Sequence, residues 1–169
     1  MQERIKNREY SRLNNVTKLK LIESEELNVN DLVPNPIIIK SDLFKEEITE
    51  YALKQAILNN IDYFLGQLGI GFTYVGNEYK IKLGDRYNYI DLLLYNIKYK
   101  CYVVVELKVT ELKKEHTGQI MTYMNYIDKN IKTIEENKTV GIIICKRDNK
   151  YVIEFCSDDR IIAREYELV

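Results

Sequence analysis

Along this chain, apolar positions first recur at helical spacing between residues 42 and 69. Phe44, Ile48, Tyr51, Leu58, Ile61, Leu65 and Leu68 follow three- and four-residue steps, interrupted at Gln55, and predict one amphipathic helix ending near Gly66 or Gly69. Ser41 or Asp42 is placed to cap it, and Glu46 and Glu47 fall in its first turn, where the helix dipole favours acids. The period then shortens to that of a strand. Phe72–Leu83 is rich in aromatic and β-branched residues, with a bend signal at Gly76-Asn77, and Gly84-Asp85 reads as a turn. Tyr87–Tyr95 and Cys101–Val109 are two further strands joined by Asn96–Lys100. Ile120, Met124, Ile127, Ile131 and Ile134 stripe a second helix over about Glu115–Ile134. Val140–Cys145 is a short, wholly apolar strand, and Tyr151–Cys156 is expected to return as another. The strand–helix–strand stretch from Val103 to Ile144 suits a right-handed parallel crossover. The order α-β-β-β-α-β predicts an α/β fold, a mixed sheet flanked by helices.

Charges interrupt the apolar centre of this sheet. Asp91 breaks Tyr89-Ile90-Asp91-Leu92-Leu93-Leu94, and Glu106 and Lys108 break Val103-Val104-Val105-Glu106-Leu107-Lys108-Val109. A charge in a buried strand is costly unless it is paired or binds a metal. Strand side chains alternate, so Glu106 and Lys108 share a face and Leu107 points the other way. A hairpin centred near residue 98 sets position 91 opposite 105 or 106, which makes Asp91 and Glu106 neighbours, roughly 5 Å apart at Cβ if directly paired. Two carboxylates so close repel and partly protonate unless a cation joins them. An oxygen-rich pair suits Mg²⁺ or Mn²⁺. One pleat further along, Lys108 can orient a metal-bound water or stabilise charge developing on phosphate. The plain structural alternative is a buried salt bridge of Lys108 with Asp91 or Glu106.

Composition narrows the picture only slightly. The chain has 169 residues, 46% hydrophobic and 30% charged, enough for one domain with a full core. No apolar run approaches the roughly 18–20 residues that cross a bilayer, and Met1 to Lys20 lacks the apolar core of a signal peptide, so a cytosolic protein with no membrane partner is expected. Cys101, Cys145 and Cys156 are widely spaced and form no CxxC pair, which predicts reduced thiols. The formal net charge of −1 does not by itself advertise nucleic-acid binding. Residues 1–35 form a separate arm, basic over its first twenty residues and acidic after them, ending at the boundary Pro34-Asn35-Pro36. Residues 36–169 form the domain.

Asp91 followed by Glu106-Leu107-Lys108 on the next strand resembles the PD-(D/E)xK nuclease superfamily, and the predicted element order is that superfamily's core. Gln119-Ile120-Met121-Thr122-Tyr123 resembles the QxxxY motif of its RecB-like branch, with Gln119 and Tyr123 one helical turn apart. Several stretches resemble the YhcG-type nuclease family. They are Phe64–Phe72, Tyr89–Tyr95, Cys101–Val109, Gly118-Gln119 and Gly141–Lys146, and the likeness runs from about Ile37 to Leu168.

The resemblance implies a metal-dependent nuclease acting on nucleic acid, DNA first, with Asp91 and Glu106 as metal ligands. The Leu107 carbonyl completes the site, Lys108 positions the water, and Gln119 orients Lys108 or the substrate. It also implies an acid on the first helix, for which Asp62 or Glu50 can serve, and two copies that pair. Lys113, Lys114 and His116 flank the presumed site and can contact a nucleic-acid backbone, and Tyr123 can stack on bases or fill the core. The chain departs from the family pattern in having only about 35 residues before the domain, where the family has a larger helical region, and in placing Asn77-Glu78 after Val75-Gly76, where a basic residue and glutamine are expected. Two rival readings stand beside this one: a catalytically inactive nucleic-acid-binding or interaction module on the same fold, and a nuclease that cuts RNA.

Overall fold

The structure, a computed structural model, describes residues 33–41 and 48–169. Most of the predicted N-terminal arm and the predicted helix start over 42–47 lie outside the described residues. Among the described residues, ten elements follow in chain order: β1 (Ile37–Ile39), α1 (Glu50–Asn59), α2 (Ile61–Leu68), β2 (Phe72–Leu83), β3 (Arg86–Asn96), β4 (Cys101–Glu111), α3 (Lys114–Asn130), β5 (Asn137–Arg147), α4 (Lys150–Glu154) and β6 (Ile161–Leu168). One six-stranded sheet runs β1-β6-β5-β4-β3-β2. β2, β3 and β4 meander antiparallel, whereas β4, β5, β6 and β1 pair parallel. The mixed α/β sheet expected from the sequence is therefore present.

Strand alternation sorts the core into two layers. Val103, Val105 and Leu107 of β4 pack with Leu53, Ile57, Phe64 and Leu68 of α1 and α2. Val104 of the same strand packs on the other face with Ile120, Met124 and Ile127 of α3. The contact between α3 and β5 is close at Gly141, where an added Cβ would lie 2.6 Å from the Met124 sulfur and 2.9 Å from Ile120 Cδ1.

Three expectations are corrected. The first helix is two helices. It begins at Glu50, where the Thr49 hydroxyl accepts from the Ala52 amide at 3.0 Å, and it breaks at Asn60, whose φ of −131° and ψ of 45° are not helical. Two consecutive asparagines, which compete for local backbone groups, favour a break there. Tyr151–Cys156 is not a strand. Asn149 Oδ1 accepts from the Tyr151 amide at 3.1 Å and starts the short helix α4, because six apolar-rich residues do not by themselves distinguish a strand from a helix. The sixth strand lies instead at Ile161–Leu168. Its charged residues mask the pattern, and Arg164 is only 4% exposed, its Nε donating to the Val33 carbonyl at 3.0 Å. The α3 helix also ends at Asn130, and Ile134 is exposed.

The β3–β4 connection is fixed by Asn96, which is fully buried. Its amide nitrogen donates to the Ile70 carbonyl, and its Oδ1 accepts from the amides of Lys98 and Tyr99, each at 3.0 Å. Asn96→Ala leaves three backbone groups without these partners and is expected to cost about 2–4 kcal/mol, read as a lower urea midpoint with an unchanged slope.

Candidate active site

The β3–β4 ladder runs from Asn96↔Cys101 to Leu92↔Val105, so position 91 stands one residue past its end, opposite 106, as the hairpin register predicts. Here the strands exchange side-chain contacts in place of ladder bonds. The Asp91 amide donates to Glu106 Oε1 at 3.2 Å, and the Leu107 amide donates to Asp91 Oδ2 at 2.9 Å. Because N–H and C=O of one strand residue point to the same side, the Leu107 carbonyl also faces β3. Two carboxyls thus meet where the ladder stops.

Glu106 is 3% exposed. Burial, and then the negative charge of Asp91, hold its carboxyl well above the usual carboxylate range, against the opposing pull of Asp91's amide and Lys108. A buried acid pressed against a second acid is the condition a divalent cation relieves, and hard oxygen donors suit Mg²⁺ or Mn²⁺. The donor set therefore fits such an ion. Since Glu106 must lose its proton to bind one, metal affinity is expected to rise with pH, by roughly tenfold per unit below the folded pKa. Calorimetry in buffers of different ionisation enthalpy would show proton release on binding.

Lys108 is half-buried on the α3 face of β4, close enough to lower Glu106's carboxyl and the His116 imidazole electrostatically. Tyr123, 4% exposed, faces the same carboxylates from α3. Burial, Glu106 and Asp91 raise its phenol, whereas a hydrogen bond from Gln119 opposes them. Gln119 itself is exposed, and its Nε2 donates to the Tyr123 hydroxyl at 3.1 Å. Its bonded partner in this structure is Tyr123; the expected role was to orient Lys108 or the substrate. His116 Nδ1 accepts from the Lys113 amide at 3.0 Å and closes the start of α3. Burial and the charges of Lys108 and Lys113 lower its pKa, which favours the neutral ring that this bond requires. Lys113 and Lys114 are exposed beside it. A groove of about 550 Å³ between α3 and α4, lined by Thr117, Met121, Val152 and Phe155, contains neither carboxylate.

The helix layer also contributes a residue that the sequence reading did not single out. Asp62 is exposed in the first turn of α2, and Glu50 is exposed at the start of α1. Lys54 of α1, 7% exposed, is the residue that meets the site, pairing with Glu78 of β2 and with Asp91 Oδ1 at 3.5 Å. Burial would lower the Lys54 ammonium's pKa, but Glu78 and Asp91 outweigh it and raise the value. The signal for Lys54 was present: it lies three residues after Tyr51 and four before Leu58, on the apolar stripe itself.

This fold and site define a PD-(D/E)xK-type nuclease domain. A model of the YhcG PDDEXK nuclease domain matches residues 31–169, and the chain belongs to that family. It is 26% identical over 139 residues to the Escherichia coli (strain K12) protein named "Putative nuclease YhcG", an alignment covering 80% of this chain and 37% of that protein. The chain thus spans well under half the length of this relative. Among solved structures, it is similar to a repair endonuclease from Pyrococcus abyssi, at 14% identity and a TM-score of 0.48, covering 75% of this chain and 49% of that one. It is also similar to EndoMS in a dsDNA complex, at 17% identity and a TM-score of 0.47, covering 76% and 48%. No helix among the described residues is long and apolar enough to cross a membrane.

Proposed function

We propose that this domain hydrolyses phosphodiester bonds of DNA, with Mg²⁺ or Mn²⁺ held by Asp91, Glu106 and the Leu107 carbonyl. The observation that carries the reading is the contact between a buried Glu106 and Asp91 where the β3–β4 ladder ends, next to the apolar pair Leu92 and Val105. Burying Glu106 beside a second acid is costly in a metal-free fold. When bound, the ion would acidify a water and neutralise charge building on the phosphate. Lys108 orients that water and adds positive charge beside the scissile group. Gln119 fixes the Tyr123 hydroxyl at the rim of the site, and Lys113 and Lys114 offer phosphate contacts at the start of α3.

Titration of Mg²⁺ or Mn²⁺ by calorimetry, on wild type and on the double variant Asp91→Asn/Glu106→Gln, tests this directly. Binding is expected in wild type only, and labelled DNA should be cut faster than labelled RNA of the same sequence. A folded wild type that neither binds metal nor cuts either nucleic acid would refute the reading. Faster cutting of RNA would reassign the substrate.

A further inference from the structure

The ladder between β2 and β3 pairs Asn77 with Leu92 and Tyr79 with Ile90, so Glu78 stands opposite Asp91. Asp91 in turn stands opposite Glu106. Three acids therefore lie in one row across three adjacent strands, with Asp91 in the middle. The row is not uniform. Lys54 bridges the first two members, Glu78 and Asp91, while Asp91 and Glu106 meet through the Asp91 amide. Asp91's two oxygens have separate partners: Oδ2 accepts from the Leu107 amide, and Oδ1 accepts from Lys54.

We propose that Lys54 is a built-in second cation, whose ammonium on Asp91 Oδ1 limits the centre to one divalent ion, with Glu78 as the tether that holds it there. This inference rests on the metal-dependent reading above. A buried ammonium is costly unless it is paired, and Lys54 has two carboxylates to pair with. Among the described residues no three His, Cys, Asp or Glu side chains gather at one point as a cation cage, and the Glu78–Asp91 half of the row already holds the Lys54 ammonium. The tether is held at some cost. Glu78 adopts a left-handed φ of 46° just beyond the register shift at Tyr74/Gly76, a conformation that side-chain-bearing residues keep only where the surroundings impose it. Lys54 acts through Asp91 and is a positioning residue.

The number of Mn²⁺ ions bound per full-length chain can be counted from the free-ion paramagnetic resonance signal. Wild type and Lys54→Arg, which keeps the fixed charge, are expected to bind one. Lys54→Glu completes a second carboxylate cage and is expected to bind two. Lys54→Met, which tests the same point if the glutamate variant fails to fold, should bind its first ion about tenfold more tightly because the competing ammonium is gone. Two ions in wild type would overturn the inference, as would wild-type number and affinity in both Lys54→Glu and Lys54→Met. No ion in wild type would instead overturn the metal-dependent reading, and this inference with it.

Discussion

Lys108→Ala is expected to slow metal-dependent cleavage by roughly a thousandfold while leaving metal affinity nearly unchanged. Lys108 sits one pleat beyond Glu106 on the α3 face of β4, half-buried, and its charge is felt by Glu106 and by His116. In the proposed reaction it acts on the water and the phosphate, so its loss should appear in the turnover of bound substrate. The fold should survive, since the backbone ladder between Lys108 and Cys145 does not depend on the amine. Single-turnover cleavage alongside calorimetry separates the two effects. A Lys108→Ala protein that cuts at the wild-type rate would remove Lys108 from the chemistry.

Glu106→Gln is expected to bring cleavage to background and to abolish metal binding, yet to make the metal-free protein more stable at neutral pH. The sign follows from the raised carboxyl of Glu106. A group whose folded pKa lies above its unfolded value contributes stability that is complete below the unfolded pKa, near 4.3 for glutamate, and lost as pH rises through the folded pKa. The glutamine cannot ionise, so variant and wild type should be about equally stable near pH 4. The variant's advantage should then grow as pH rises. Thermal melts in the presence of a chelator across that range would show it, and a variant less stable than wild type at pH 7 would contradict this account of the site. With excess Mg²⁺ the order should reverse, because only the wild type gains from binding.

The meeting of Asp91 and Glu106 was legible because charge in an apolar strand is a loud signal. Asp91, Glu106 and Lys108 stand out against Leu, Ile and Val on either side, and the short Asn96–Lys100 connection constrained which of them meet. The two central layers were legible for the same reason, since apolar runs of β4 and β5 and the stripe of α3 are uniform. Lys54 and Glu78 were not legible as a pair. One reads as a polar residue on an amphipathic helix, the other as a departure from a family pattern, and they meet only through the packing of α1 beside β2 in the fold. The edges of the sheet were hardest. β1 has three residues, too few for a period, and β6 carries Arg164 and Glu165, whose partners Val33 and Asn35 lie some 130 positions away in sequence. Long-range satisfaction of polar groups is invisible to a local pattern.

The irregularity in β2 also bears on association between molecules. β2 forms one lateral border of the sheet, twelve residues long, with Tyr74 and Val75 exposed. A flat border of that length would offer a ready template for a strand from another molecule. The bulge at Tyr74/Gly76 and the left-handed Glu78 break its hydrogen-bonding line, and Lys80, set over the Tyr87 ring at 4.0 Å, adds charge further along. The irregular stretch of β2 that carries Glu78 thus also guards the border against strand addition, so straightening β2 would be expected to cost solubility.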